Sequence, residues 1–151
     1  MKASVFDFVP PQGWRAESKV ADAFEARGAH GFVIDDYARL IPSANISWRE
    51  VVLVRSASRF LRQTGLSMSD SYLIETLCQH ADFVAAQVDL FVSRFDPQLY
   101  DRESRVANAQ CREQGFIEAT TSVDEDRILR AFASFVSAMS RTNWFQCGRD
   151  G

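Results

Sequence analysis

Two short signals fix where helices must begin. Ser47-Trp48-Arg49-Glu50 and Ser122-Val123-Asp124-Glu125 each set a serine three residues ahead of a glutamate. In such a capping box the hydroxyl accepts from the glutamate amide while the carboxylate reaches back to the serine amide, which satisfies two of the N–H groups a helix start leaves without partners. The first box predicts a helix from Ser47 to about Gln63, with Trp48, Val52, Phe60 and Leu61 turned to the core and Gly65 ending it. The second predicts a helix reaching about Arg141, with Ile128, Phe132, Phe135, Val136 and Met139 as its buried stripe. Asp124, Glu125 and Asp126 complement the positive end of that helix.

Weaker signals place the other elements. Val84, Val88, Phe91 and Phe95 fall at i, i+4, i+7 and i+11, one stripe of a helix that Asp96-Pro97 closes. Ser69-Asp70-Ser71 caps a short helix carrying Tyr72, Leu73, Ile74 and Leu77. Residues 16–27 bring Val20, Ala21, Ala23 and Phe24 near one face, with Gly28 as the stop. Phe32, Val33, Tyr37, Leu40 and Ile41 predict another short helix before Pro42. Residues 98–113 are crowded with charge and read as an exposed helix or a mobile linker. Val5 to Val9, closed by Pro10-Pro11, reads as one strand. The fold class is mainly α, a bundle-like segment of about six helices with one short N-terminal strand. Residues 1–13 are expected to lead in from a preceding domain, 14–146 to form the helical domain, and 147–151 to be an irregular, truncated end.

A chain of 151 residues can bury a true core, roughly 70% of its unfolded surface. Its net charge of −3 gives no bulk positive field for a phosphate backbone, so nucleic acid is not an expected partner. Cys78, Cys111 and Cys147 are widely spaced, without a CxxC pair, and fit reduced thiols. The N-terminus lacks the apolar run of a signal peptide, and no segment approaches the roughly 20 apolar residues of a membrane span. The chain reads as cytoplasmic, with no membrane partner.

Catalytic signatures are absent. There is no GxGxxG turn for a dinucleotide and no GxxxxGK[ST] loop for phosphates. The two lysines, Lys2 and Lys19, stand beside no glycine loop, and neither reads as a catalytic amine. His30 and His80 belong to no HExxH pattern. His30 reads as a turn residue. His80 reads as a helix-end residue, although a pairing with the Cys78 thiolate is chemically conceivable. Cys78 is expected in the core, and Cys111 and Cys147 to be inert. Arg55, Arg59 and Arg62 repeat at i, i+4 and i+7 and can share a face that grips a phosphate or carboxylate. A solvated or salt-bridged face explains them as well. Asp35-Asp36 reads as helix surface and Asp124 to Asp126 as capping. No catalytic, cofactor-binding or metal-ligating residue is assigned.

Several motifs nonetheless stand in a telling order. Ser47-Trp48-Arg49-Glu50-Val51, Leu53-Val54-Arg55-Ser56 and Phe60-Leu61-Arg62-Gln63-Thr64-Gly65 are followed by Tyr72-Leu73-Ile74, Leu90-Phe91, Arg94-Phe95-Asp96-Pro97, Val123 to Arg130, and Arg141-Thr142-Asn143-Trp144-Phe145-Gln146. The series resembles the large bacterial NAD-specific glutamate dehydrogenases over nearly the whole chain. Ala38, Ala81 and Cys147 to Gly151 depart from that pattern. The resemblance implies a helical segment just ahead of a catalytic region that oxidises L-glutamate to 2-oxoglutarate and ammonium with NAD. It implies no cofactor held by this segment itself. Its partners would be neighbouring domains of the parent enzyme, itself a homo-oligomer. The alternative is a free-standing helical interaction module, binding a protein through the Trp144-Phe145 end or the arginine face.

Overall fold

The computed structural model describes residues 16–146, and no strand occurs among them. The expected strand over residues 5–9 and the irregular end at 147–151 lie outside the described residues. Among the described residues seven α-helices follow one another: α1 (Ala16–Ala29), α2 (Leu40–Ser43), α3 (Trp48–Gln63), α4 (Asp70–Gln79), α5 (Ala81–Phe95), α6 (Arg102–Ala119) and α7 (Val123–Ala138). A 3-10 turn, Asp36–Arg39, runs straight into α2. Helix α3 touches α1, α2 and α7, while α5 packs along α6 and also meets α4 and α7. The main core lies where α3, α4, α5 and α7 converge, around Val51, Leu73, Leu77, Phe83, Ile128 and Leu129, none of which reaches solvent. Each such side chain contributes about 1.5–3 kcal/mol of burial free energy. A smaller cluster centres on Leu90, Phe91, Ala109 and Val136.

Where a cap was legible, the helix starts where expected. The Ser47 hydroxyl accepts from the Glu50 amide, and the Glu50 carboxylate accepts from the Ser47 amide at 2.6 Å. At the other end Gly65 takes φ +107°, a region L side chains avoid, and the Leu66 amide turns back to the Leu61 carbonyl at 3.0 Å. That closure brings two apolar, buried residues together, as a Schellman ending requires. The Ser69 hydroxyl likewise accepts from the Tyr72 amide at the start of α4.

Other expectations need correction. Gly28 does not stop α1. The helix continues to Ala29, and the reversal falls on Gly31 at φ +66°, with the Phe32 amide donating to the Ala26 carbonyl. Its buried face is Ala23 and Ala26, two small residues, whereas Phe24 is largely exposed. Phe32 and Val33 are not helical, and Pro42 lies inside α2 rather than after it. A proline is tolerated in a first turn because its missing N–H has no intrahelical partner there. On α3 the core face is Val51, Val54, Arg55, Ala57, Ser58 and Leu61, leaving Phe60 half exposed against Phe135. Two polar residues occupy that face with partners close by: the Ser58 hydroxyl donates to the Val54 carbonyl, and one end of the Arg55 guanidinium has the partners described below.

The charged stretch forms an exposed helix, α6, longer than expected and seated through Ala109 and Ile117. Helix α7 ends at Ala138, three residues short of the expected Arg141. The Arg94 guanidinium from α5 donates to the carbonyls of Val136, which also accepts from the Met139 amide, and of Met139, and cation donors suit a helix C-terminus. Arg102 does the same for α5, donating to the carbonyls of Arg94 and Asp96 at 2.9 Å each. The Trp144-Phe145 pair, the protein-binding end of the alternative reading, folds back onto Phe91, with ring centroids at 5.8 and 6.1 Å.

Removing the Ser47 hydroxyl in Ser47→Ala is expected to cost about 1 kcal/mol, at most about 2. A urea titration followed by circular dichroism reads this as a lower midpoint at unchanged slope.

Candidate functional site

The three arginines of the i, i+4, i+7 series do not form one gripping face. Arg55 points inward and is only 7% exposed. Its guanidinium donates to the Val33 carbonyl at 2.9 Å and to the Asp35 carboxylate at 2.7 Å. It lies 5.4 Å from the Phe32 ring centre and 5.7 Å from that of Tyr37, so two aromatic faces cover the delocalised charge. Its buried Nε meets no acceptor among the described residues. Asp35 does two jobs, because it also caps the 3-10 turn by accepting from the Tyr37 amide. The Tyr37 hydroxyl donates to Asp70 at 3.1 Å, and Arg62 pairs with that same carboxylate at 3.1 Å. A single polar chain thus ties residues 33–37 to α3 and to the first turn of α4. Burial is the main reason the Tyr37 phenol is pushed up to about 12, with the nearby carboxylates adding to it.

Arg59 remains at the surface, beside an open depression of about 460 Å³ that Arg62, Gln63, Leu66, Ser67 and Met68 complete. Asp35 is therefore a structural anchor rather than plain helix surface. His80 is the hinge between α4 and α5 and pairs through Nε2 with the Glu125 carboxylate at 3.0 Å. Ser122 caps α7 through the Glu125 amide, at a long 3.5 Å, while the glutamate side chain goes to His80. Asp126 holds Arg130 one turn on. His30, read as a turn residue, lies in a bend just past the end of α1, and its ring lies flat on Trp48. The Lys19 ammonium donates to the Asn45 carbonyl, and Lys2 and Cys147 lie outside the described residues. Cys78 is half-buried against the core, where burial raises its thiol, and Cys111 is exposed. Among the described residues no group of three or more His, Cys, Asp or Glu could hold a metal ion. The arrangement fastens helices to one another.

The model for "Glutamate dehydrogenase, helical motif 3" matches residues 33–97. The chain is 41% identical over 121 residues to an NAD-specific glutamate dehydrogenase of Mycobacterium tuberculosis, a match covering 77% of this chain and 7% of that protein. Over most of its length the chain is similar to NAD-specific glutamate dehydrogenases. The enzyme of the same name from Halomonas elongata is 33% identical over 117 residues, 78% of this chain and 7% of its own. That of Pseudomonas aeruginosa is 32% identical over 124 residues, 78% of this chain and 8% of its own. The chain thus spans less than a tenth of the length of the curated relatives it matches. No solved structure matches it. The span matched by the helical motif begins at Val33, the carbonyl acceptor of Arg55, and contains every polar member of the knot.

Sequence reasoning missed this polar knot because its two central contacts, Arg55 to Asp35 and Tyr37 to Asp70, join residues 20 and 33 positions apart. The signal available was an arginine at a core-facing position of α3, between Val51 and Ser58. Arg55→Ala leaves Asp35 and the Val33 carbonyl without their donor. Because Asp35 keeps a third of its exposure, a loss of about 2–3 kcal/mol is expected, below the full range for a buried pair. Arg55→Lys should recover less than half of it in chemical denaturation, since an ammonium cannot lie flat between two rings. For Tyr37 the raised folded value means that the unfolded chain gives up its phenolic proton first. Stability should therefore be whole below pH 10, fall as pH rises towards about 12, and lose this component in Tyr37→Phe. Unfolding followed across alkaline pH reads the difference.

Proposed function

We propose that this chain serves as a non-catalytic helical segment of an NAD-dependent glutamate dehydrogenase. The parent reaction converts L-glutamate, NAD and water to 2-oxoglutarate, ammonium and NADH. The observation that carries this reading is the ordered likeness to NAD-specific glutamate dehydrogenases, 41% identity across most of the chain but a small part of theirs. The residues in that likeness are packing residues: Ser47 and Glu50 start α3, Arg55 and Arg62 hold the knot, Phe91 and Arg94 seat the segment through Phe145. A body of helices clamped in this way supports the register of neighbouring domains. Among the described residues the single lysine, Lys19, donates to a backbone carbonyl, which fits a supporting rather than a chemical role.

Residues 14–146 are the helical domain in this reading, 1–13 lead in from a preceding domain, and 147–151 are an irregular end. No residue is assigned a catalytic, cofactor or metal role, and NAD belongs to the parent enzyme elsewhere. The partners are the parent's neighbouring domains in a cytoplasmic homo-oligomer. No described helix is long and apolar enough to cross a membrane. The free-standing interaction module loses support at two points, since Arg55 is buried and the Trp144-Phe145 pair is committed to Phe91.

The purified chain, supplied with L-glutamate and NAD, is expected to produce no NADH above a protein-free control, and calorimetry should detect no NAD binding. Steady NADH formation by the chain alone would overturn the reading.

A further inference from the structure

A cleft of about 220 Å³ lies between α1 and the start of α3, lined by Asp22, Glu25, Ala26, Ala29, His30 and Trp48. One part of its lining is aromatic. The His30 ring lies on the Trp48 indole at 5.6 Å and only 12° from parallel, and Phe32 braces the indole at 5.7 Å. A second part is anionic. Asp22 and Glu25 are one helical turn apart on α1, so both carboxylates belong to the same wall. Both are exposed, and among the described residues neither has an ion-pair partner, while Lys19, one turn earlier, is drawn to the Asn45 carbonyl instead. Between them Ala26 and Ala29 leave room for an aliphatic stem.

We propose that this cleft receives an arginine side chain presented by a protein segment. A guanidinium is flat and positively charged, and it forks towards carboxylates, so it can lie against an aromatic plate while its edge donates to Asp22 and Glu25. The stem then runs over the two alanines. Free arginine fits less well, because its own α-carboxylate would face the same acidic wall without a cationic partner in the lining. The inference depends on the cleft alone and not on the parentage of the chain.

The test is a nuclear magnetic resonance titration of the whole isotope-labelled chain with N-acetyl-arginine amide. N-acetyl-citrulline amide, of the same shape but uncharged, is the control. Saturable shifts are expected at the Trp48 indole N–H and at the amides of residues 22–30, with no saturable response to citrulline. The exposed double substitution Asp22→Asn, Glu25→Gln should weaken binding by about tenfold, equivalent to roughly 1.4 kcal/mol, with an unchanged helical spectrum. No saturable shift, an equal response to citrulline, or undiminished binding in the double variant overturns the proposal. The arginine and citrulline comparison on the unaltered chain decides the matter even if the double variant fails to fold.

Discussion

A guanidinium withdrawn from water must be given back its hydrogen bonds, and where Arg55 sits this is done by a stretch of chain with no regular structure of its own. The Val33 carbonyl and the Asp35 carboxylate come from the short connection after α1, and the Phe32 and Tyr37 rings close over the charge. Between the buried Phe32 and Tyr37, that arginine is what holds the connection's polar backbone, since Val33 and Ile34 face solvent. With it, the 3-10 turn is aimed so that Tyr37 reaches Asp70, the first residue of α4, which Arg62 of α3 also holds. The packing of Leu40, Leu73 and Leu77 follows from that placement.

Much of the helix plan was legible because it is written locally. Ser47 with Glu50, Ser69, Ser122, and Gly65 act within four residues of themselves, and all mark the ends they were expected to mark. The Val84, Val88 and Phe91 stripe is buried as its spacing required. What failed was decided at a distance. Helix α7 stops early because an arginine on another helix takes its last carbonyls. The box at Ser122 loses its glutamate side chain to a histidine 45 residues away. Gly28 looked like a stop, but nothing in a lone glycine tells a pause from a reversal, and Gly31 three positions on bears the positive φ. The arginine series misled for a related reason: regular spacing shows a shared side of a helix, and burial alone decides whether that side faces solvent.

The family likeness and the physical reading converge on the same residues by different routes. Residues 33–97, the matched helical motif, hold the knot together with the helices it fastens. The elements beyond that span attach to it at identifiable points, α7 through Glu125 and the segment through Phe145 by way of Phe91. Arg49, next to the Ser47 cap, also lies over the Trp144 ring at 5.8 Å. The start of α3 and the exit from α7 are thereby neighbours, although almost a hundred residues separate them in sequence.

The joint at His80 carries a last consequence. This one residue closes α4 and opens α5, with no loop between them. Inserting or deleting a single residue there would swing α5 by about 100° about its own axis. Phe83, Val84 and Phe91 would leave the interior together, and α6, which rides on α5, would be carried with them. At this joint the number of residues, as much as their identity, fixes which side of α5 meets the interior.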